Sequence, residues 1–358
     1  MRLWDEKMRE WDSVFNPFNS LKVLAWRESF EEIMANHIPS PVSVTVDSTN
    51  VCNLNCEFCH YAEFRKEKQK SIPEEDLRWL ADVLPEMGVR SVCYSGGGEP
   101  FVHPFAGKFL RLLKDNKLAV GTITNGVLIN NFLDDILYSC RWIGVSIDAG
   151  FVSTYEKLKG GKSGDFYQVI QNLKDLVEKR KDDRSPSIGF KFLIHPWNYA
   201  ELYQAVQLAH EIGVDDFHAR PCYNPGLRWE PEMIDVALQQ IQESQDFFGN
   251  DKFHVYGITH KFDNDFKKKV IKKCEITPIA GLTFAADGYC YVCCDLRGVK
   301  MGRLCKWHDI QKVWGSAKHK RVLKNINPSK CPHRCTYAPY QEILDKVFRE
   351  DKMTYRFP

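Results

Sequence analysis

Strand-like and helix-like patterns alternate along the middle of the chain, and this alternation constrains the fold more than any other feature. Short β-branched and aromatic runs are each followed by apolar residues at helical spacing. The six predicted strands cover 42–46, 91–94, 118–124, 142–147, 188–194 and 216–219. Strand–helix units in succession predict an α/β fold with a parallel sheet and helices on its outer face. Six units are too few to close an eight-stranded barrel.

A short segment with three cysteines follows the first predicted strand. Cys52, Cys56 and Cys59 have the spacing C-x3-C-x2-C. Three thiolates on one short loop can hold three irons of a [4Fe–4S] cluster, which leaves the fourth iron without a protein ligand and open to a chelating molecule. The alternative is a structural zinc site, for which His60 would supply the fourth ligand.

A second motif lies at the end of the second predicted strand. Ser91–Tyr94 is followed by the run Gly-Gly-Gly-Glu-Pro at 96–100. Glycines let the backbone approach a ligand closely, and Glu99 adds a negative charge, so the segment suits a ligand with a cationic amine. A plain glycine turn between strand and helix is the alternative.

Together these motifs resemble the radical S-adenosylmethionine (radical SAM) enzymes. The family's cysteine motif is CxxxCxΦC with an aromatic Φ, a position that Phe58 fills, and its GGEP segment matches residues 97–100. The resemblance implies a partial (β/α)6 barrel, a [4Fe–4S] cluster on the three cysteines, and S-adenosylmethionine chelated to the open iron. A donor such as flavodoxin or ferredoxin would supply the electron that cleaves S-adenosylmethionine. The resulting 5′-deoxyadenosyl radical would abstract a hydrogen atom from the substrate.

The resemblance also assigns cofactor-binding residues, mostly at the carboxyl ends of strands, where parallel α/β folds collect their ligands. The glycine–glutamate segment is assigned to the methionyl ammonium and the end of the fourth strand to the ribose. Adenine is assigned only in part, because the fifth strand lacks the family's glycine-rich motif. The candidates are Phe58, Gly97, Gly98, Glu99, Asn125, Ser146, Asp148 and Ile188. Without the resemblance, the polar residues of the fourth strand are equally explained as helix caps.

The sixth predicted strand carries groups that can move protons or hydrogen atoms, and they are the catalytic candidates. Arg220 can bind a carboxylate or phosphate, and His218 can act as a general base near neutral pH. Cys222 can donate a hydrogen atom. An ordinary buried thiol and a surface ion pair are the alternatives for Cys222 and Arg220.

The C-terminal third contains a second group of cysteines. An Asp-Gly pair at 287–288 predicts a hairpin that would bring Cys274 and Cys293 together, and Cys331 with Cys335 would complete a four-thiolate site. This arrangement resembles the SPASM/twitch extension of radical SAM enzymes, which implies an auxiliary [4Fe–4S] cluster on these four residues.

The longer cysteine run of the full SPASM pattern is absent from the sequence, which favours the twitch form with one auxiliary cluster. Cys294 is an alternative ligand to Cys293, and a structural zinc site is an alternative to the cluster. Cys290 and Cys305 are expected to be small buried thiols.

Length and composition complete the expectations. The 358 residues accommodate a helical N-terminal extension at 1–40, a partial barrel at 41–235, a helical linker at 236–273 and a small α+β cluster domain at 274–358. A net charge of +2 is too small to produce an electrostatic field that would indicate nucleic acid or membrane partners. Thirteen cysteines without a signal peptide or a membrane-length apolar run indicate a reducing cytoplasm.

Three reaction classes stay open for this chemistry. In the first, the auxiliary cluster accepts an electron from a substrate radical, as the resemblance to twitch-bearing aminocyclitol dehydrogenases implies. The second is epimerisation with a thiol hydrogen donor, and the third is peptide modification. The N-terminal extension is too short for a winged-helix domain that recruits precursor peptides, which favours a small polar substrate such as a sugar or aminocyclitol. A non-enzymatic, zinc-stabilised binding protein is the remaining alternative.

Overall fold

A computed structural model describes residues 19–62, 65, 69–180, 185–222, 227–262, 271–331 and 335–349 of the chain. The first part of the expected N-terminal extension, 1–18, lies outside these residues. Contacts divide the chain into two compact units. We call residues 46–86 with 90–262 the barrel unit, and residues 1–45, 87–89 and 263–358 the cysteine-rich unit.

Ten strands and twelve α-helices lie in the described part of the chain. The strands are β1 Ser43–Asp47, β2 Ser91–Ser95, β3 Ala119–Thr124, β4 Cys140–Ser146, β5 Ser187–Ile194, β6 Asp216–Pro221, β7 His254–Gly257, β8 Thr283–Phe284, β9 Tyr289–Tyr291 and β10 Arg303–Lys306. The helices are α1 Arg27–Met34, α2 Glu74–Glu86, α3 Ala106–Asp115, α4 Leu133–Ser139, α5 Val152–Lys159, α6 Ser163–Lys179, α7 Leu202–Ile212, α8 Pro231–Phe248, α9 Thr277–Ala280, α10 Ile310–Val313, α11 Ala317–Lys324 and α12 Ala338–Ile343.

The barrel unit contains the last two residues of β1 and a sheet in which the strands from β2 to β7 follow one another in chain order. The pairs from β2·β3 to β6·β7 are all parallel. The six predicted strands and the α/β fold class are confirmed. One strand was missed: β7 pairs with β6 inside the stretch 236–273, which was expected to be a helical linker. Helix α8 is therefore the crossover of one more strand–helix–strand unit.

The apolar pattern of the strands and helices explains how this unit packs. Along β5, residues 188, 190, 192 and 194 are buried apolar side chains. The ring of Phe190 stacks on that of Phe217 from β6, with centroids 5.3 Å apart. Helix α3 buries Phe109, Leu110 and Leu113 at helical spacing. The sheet core is therefore apolar, and polar side chains such as Lys191 alternate with it along the strand.

The cysteine-rich unit is built around a short antiparallel arrangement. Strand β9 pairs with β8 and with β10, and Gly288 occupies the turn between β8 and β9 with a φ of +83°. Left-handed backbone of this kind suits glycine, and the predicted Asp-Gly hairpin is confirmed. Helix α1 contributes Phe30, which stacks on Phe348 at a centroid distance of 4.3 Å.

None of the helices in the described ranges combines the length and the apolar character needed to cross a membrane.

Candidate functional site

The three cysteines of the first motif lie on one loop directly after β1, at the carboxyl end of that strand. Cys52, Cys56 and Cys59 are half-buried free thiols, and the backbone N–H of Cys59 donates to the carbonyl of Cys56 at 3.2 Å. Burial raises the pKa of Cys56 to about 11, opposed by Lys159, while Cys59 and Cys52 raise it further. The structure therefore brings the three predicted cluster ligands together on one loop, which we call the cysteine loop (residues 48–62).

The beginning of the cysteine loop is fixed by neighbouring segments. The hydroxyls of Ser48 and Tyr94 are 2.6 Å apart. The backbone N–H of Asn50 donates to the carbonyl of Lys70 at 3.0 Å, and the N–H of Lys70 donates to Oδ1 of Asn50 at 2.6 Å. These contacts hold the residues that precede Cys52 before any ligand binds.

The middle of the cysteine loop rests on the C-terminal end of α5. The N–H groups of Asn55 and Glu57 donate to the carbonyls of Lys159 and Leu158, at 3.1 and 2.9 Å. Gly160 caps the helix with a φ of +60°, and a Cβ on it would lie 2.7 Å from the carbonyl oxygen of Asn55. Helix-end carbonyls without an intrahelical partner need other donors, and here the cysteine loop supplies them.

The glycine segment pairs with the same loop through its backbone. The N–H of Gly98 donates to the carbonyl of Thr49 at 3.1 Å, and the N–H of Glu99 donates to the carbonyl of Val51 at 2.9 Å. A Cβ on Gly98 would lie 2.1 Å from that carbonyl oxygen of Val51. The absence of a side chain at Gly98 is therefore required by the cysteine loop itself, whereas the prediction attributed it to a ligand. Gly97 is buried.

The side chain of Glu99 is engaged with the protein. It is 2% exposed, and its Oε1 accepts hydrogen bonds from the Thr124 hydroxyl at 2.7 Å and from the N–H of Phe101 at 3.2 Å. Its Oε2 accepts from the N–H of Asn125 at 2.7 Å. Burial raises the pKa of Glu99 to about 6, against the effect of these hydrogen bonds. The group joins the glycine segment to the end of β3, and a carboxylate with three donors can accept one more, so its contact with a ligand ammonium stays a prediction.

Two side chains donate toward the cysteine sulfurs. The amide Nδ2 of Asn125 is 3.9 Å from Sγ of Cys52 and 2.7 Å from Oδ1 of Asn53. The guanidinium of Arg65 reaches Sγ of Cys59 at 3.8 Å and the carbonyl of Leu54 at 3.1 Å. Asn125 was a predicted site residue, whereas Arg65 was missed. Its only sequence signal is a cation six residues after Cys59.

Asp148, predicted to contact the ribose, is instead part of a buried ion pair. Its Oδ2 lies 2.6 Å from Nζ of Lys159, and the two side chains are 1% and 2% exposed. Oδ1 of Asp148 accepts the N–H of Leu193 at 2.7 Å, and the carbonyl of Ser146 accepts from Nζ of Lys159 at 2.9 Å. Both carboxylate oxygens of Asp148 are therefore occupied by protein donors. Lys159 was not predicted as a site residue.

Phe58 and Cys222 meet in one apolar cluster with Leu158. Cys222 follows β6, its N–H donates to the carbonyl of Ile194 at 2.8 Å, and Cys56 packs against the same cluster. Phe58 was expected to contact adenine, but its side chain is buried in this cluster. The structure does bring the predicted hydrogen donor Cys222 to the underside of the cysteine loop.

The other predicted residues on β5 and β6 lie elsewhere. Nε2 of His218 is 3.0 Å from Oδ1 of Asp216, which also pairs with Nζ of Lys191 at 2.9 Å. Burial lowers the pKa of His218 to about 4, and the Lys191 charge lowers it further. This pKa is too low for the general base near neutral pH that was expected. Arg220 is exposed. Ile188 lies at the amino end of β5, pairing with Ile143, far along the strand from the carboxyl end where adenine was expected.

The second cysteine group converges in the cysteine-rich unit. Burial raises the pKa of Cys274 to about 12, with a further contribution from Cys331. Burial also holds the pKa of Cys335 well above its usual value, with contributions from Asp295, Cys274 and Cys331. The pKa of Cys293 is raised by a hydrogen bond with Cys294, by burial and, to a smaller extent, by Cys274. These mutual effects place the four cysteines in one region of the unit, and a cluster on them stays a prediction.

A fifth thiol and a carboxylate join this group. The ligand atoms of Cys293, Cys294 and Asp295 lie within 4.8 Å of one another. Sγ of Cys294 is 3.6 Å from the Tyr337 hydroxyl, and Oδ2 of Asp295 accepts the N–H of Thr336 at 2.9 Å. The alternative between Cys293 and Cys294 therefore stays open. Cys290 and Cys305, expected to be buried, are buried and face each other across β9 and β10.

Comparison with known proteins places this geometry in a family. Residues 46–209 match the model of the radical SAM superfamily. The subtilosin biosynthesis protein AlbA of Bacillus subtilis is 27% identical over 186 residues, which are 51% of this chain and 40% of AlbA. A probable GTP 3′,8-cyclase of Sulfurisphaera tokodaii is 29% identical over 204 residues, 55% of this chain and 61% of that protein. The chain thus spans about half the length of these curated relatives.

Solved structures with the same fold cover more of the chain. Streptococcus suis SuiB bound to its precursor peptide SuiA has a TM-score of 0.63 at 17% identity, covering 85% of this chain and 71% of SuiB. The native anSMEcpe structure with bound AdoMet has a TM-score of 0.60 at 15% identity, covering 84% of this chain and 88% of that one. At these identities the likeness concerns the fold. The superfamily match at 46–209 includes the cysteine loop, so this part of the chain is a radical SAM domain.

Proposed function

We propose that the protein reductively cleaves S-adenosylmethionine and uses the cleavage to abstract a hydrogen atom from its substrate. The observation that carries this proposal is the cysteine loop, which presents three half-buried thiols at the carboxyl end of β1. The donor groups of Asn125 and Arg65 point at two of the sulfurs, as second-layer hydrogen bonds to cluster ligands do. His60, the zinc alternative, is exposed.

Cys52, Cys56 and Cys59 would hold the [4Fe–4S] cluster, which supplies the single electron for cleavage and an open iron for chelation. The protein's own groups would then position the bound S-adenosylmethionine. We assign its ammonium to the Gly97 carbonyl and the Glu99 carboxylate, whose Oε2 has one protein donor and can accept another. Asn125 would orient the cysteine loop through Asn53. A flavodoxin- or ferredoxin-type protein is the proposed electron donor.

Cys274, Cys293, Cys331 and Cys335 are the proposed ligands of an auxiliary cluster, which would accept the electron of the substrate radical and make the net reaction an oxidation. Their convergence in one unit supports this. The fold likeness to SuiB and anSMEcpe also extends well beyond residues 46–209.

For the substrate we place a peptide ahead of the sugar or aminocyclitol that the sequence favoured. The AlbA name describes bacteriocin biosynthesis, and SuiB was solved with a bound precursor peptide. Both are similar to this chain in sequence or fold, whereas the name of the GTP 3′,8-cyclase relative refers to a nucleotide. A peptide thus has support from two independent comparisons.

Metal content tests the two-cluster proposal directly. Protein purified without oxygen should carry about eight irons and absorb broadly near 400 nm. The variant with Cys52, Cys56 and Cys59 all changed to Ala should keep about four irons. Zinc in place of iron in this variant would contradict the auxiliary-cluster part, and zinc in the parent protein would contradict the proposal as a whole.

The position of Cys222 favours a second candidate reaction, radical epimerisation. Its buried thiol lies in the cluster beside Phe58 and Cys56, where it could donate a hydrogen atom to a substrate radical. The resulting thiyl radical would regain the thiol by taking one electron from the flavodoxin- or ferredoxin-type donor and one proton from solvent. If so, product formed in D2O should carry one deuterium per turnover from the exchangeable thiol, and Cys222→Ala should lose this label. Under the oxidation proposal, Cys222→Ala is nearly silent and Cys331→Ala stops product formation.

A further inference from the structure

We infer that Lys159 is a positioning residue for the cluster of the cysteine loop: its backbone fixes the loop, and its buried ammonium raises the reduction potential of the cluster. The inference rests on the proposed function, since it concerns the cluster on Cys52, Cys56 and Cys59. Reduction potentials of iron–sulfur clusters depend on net charge, hydrogen bonds and solvent exposure. A fixed positive charge nearby stabilises the more negative, reduced state.

The backbone part follows from two hydrogen bonds. The carbonyls of Leu158 and Lys159 accept the N–H groups of Glu57 and Asn55, which flank Cys56. The left-handed Gly160 ends the helix immediately afterwards and lies against Asn55. The residue that carries the charge is thus the residue on which the middle of the cysteine loop rests.

The charge part follows from burial. Nζ of Lys159 is held by Oδ2 of Asp148 at 2.6 Å and by the carbonyl of Ser146 at 2.9 Å. It also lies 5.7 Å from the centre of the Phe58 ring. Burial by itself lowers the pKa of this lysine, but Asp148 and then Cys56 outweigh burial and hold it above its usual value. The ammonium therefore stays charged, and salt does not screen it as it screens a surface lysine.

Stability alone gives no reason to keep this pair. Buried ion pairs are often replaced by apolar residues without loss of stability, because both charges must be removed from water. Asp148 also has a φ of +61°, a left-handed conformation that is unfavourable for a residue with a side chain. A strained carboxylate that holds one ammonium against a cysteine loop fits a functional role better than a structural one.

The pair carries no net charge, but its two charges face different elements of the fold. The Asp148 carboxylate is turned toward Leu193, whose N–H it accepts at 2.7 Å, so part of its charge is satisfied on the side of β5. Arg65 adds a second cation at Sγ of Cys59, but Arg65 is less buried than Lys159. We therefore expect Lys159 to raise the reduction potential of the cluster more than Arg65 does.

The test is the midpoint reduction potential in the full chain carrying Cys331→Ala and Cys335→Ala, so that only the cysteine-loop cluster is titrated. Lys159→Met removes the charge, and Lys159→Met with Asp148→Asn removes it without leaving an unpaired carboxylate. Lys157→Met is the matched control, because Lys157 lies on the same helix and is exposed. Lys159→Arg keeps the charge.

At the potential that reduces half of the parent cluster, the ratio of reduced to oxidised cluster should fall about tenfold in Lys159→Met. It should fall by a smaller factor in the double variant, because the lost Asp148 charge partly offsets the lost ammonium. A tenfold change corresponds to about 59 mV for a one-electron couple. Lys157→Met and Lys159→Arg should stay close to the parent. An unchanged midpoint in the double variant with full iron content would overturn the inference.

Loss of iron is also informative. The unfolding of the iron-free variants should match that of the iron-free parent. If the Lys159→Met variants then lose iron while Lys159→Arg retains it, the positioning role is supported. If Lys159→Arg loses iron as well, the charge is not the cause and the inference fails. Absence of iron from the parent itself would contradict the proposed function instead.

Discussion

The carboxylate of Glu99 accepts the backbone N–H of Asn125 at 2.7 Å, which links the glycine segment after β2 to the end of β3. The side-chain amide of Asn125 in turn lies 3.9 Å from Sγ of Cys52. A buried carboxylate therefore sets the position of a donor to a proposed cluster ligand. Glu99 therefore positions Asn125 as well as being the proposed acceptor for the ammonium of S-adenosylmethionine.

The raised pKa of Glu99 predicts a pH dependence of stability. Burial moves it from 4.5 to about 6, so between these pH values the folded state keeps a proton that the unfolded state has released. The contribution of Glu99 to the free energy of unfolding should therefore be fully present below pH 4.5. It should be lost as the pH rises through 6, which lowers the free energy of unfolding by about 2 kcal/mol. Urea unfolding of iron-free protein across this range measures it. Glu99→Gln should remove the dependence, and the exposed control Glu75→Gln should keep it.

Gly98→Ala should disturb the cysteine loop, because its Cβ would lie 2.1 Å from the carbonyl oxygen of Val51. Overpacking of this kind costs about 1–3 kcal/mol, and the iron bound by Cys52, Cys56 and Cys59 should fall to less than half. Gly164→Ala is the control, since no atom lies within 4 Å of the new Cβ. It should be neutral, or stabilise α6 by about 0.5–1 kcal/mol. Equal iron content in the two variants would refute the close approach.

The choice between the two adjacent cysteines of the auxiliary site is also testable. Cys293 is buried and interacts with Cys294 and, more weakly, with Cys274, while Cys294 also faces the Tyr337 hydroxyl. Cys293→Ala should therefore lose about four irons, and Cys294→Ala should keep them. Iron analysis of the two variants is sufficient, and the reverse result would assign Cys294 as the ligand.

Local patterns were enough to predict most of the fold. β-branched runs followed by helical spacing located β1 to β6 within a few residues, and the Asp-Gly pair located the β8–β9 hairpin. Strand β7 was missed because His254–Gly257 is only four residues long and ends in glycine, so its pairing with β6 is visible only in three dimensions.

The site was predictable where its residues are adjacent in sequence, as in the cysteine loop and the glycine segment. It was not predictable where partners come from distant elements. Lys159 has the pattern of a solvated lysine near a helix end, and its buried pairing with Asp148 depends on how α5 packs under the loop. His218 has the residue type of a general base, but its burial beside Asp216 and Lys191 lowers its pKa to about 4.

The central claim is that the cysteine loop supports reductive cleavage of S-adenosylmethionine, and one measurement tests it most directly. Protein with reconstituted clusters is reduced with dithionite, mixed with S-adenosylmethionine and assayed for 5′-deoxyadenosine, alongside Cys56→Ala and the control Cys140→Ala. Cys140 is a buried thiol at the start of β4, at the amino end of the sheet. The account predicts 5′-deoxyadenosine from the parent and from Cys140→Ala and none from Cys56→Ala, because two thiolates are too few to hold the cluster. Undiminished 5′-deoxyadenosine formation by Cys56→Ala, or none by the iron-loaded parent, would contradict it.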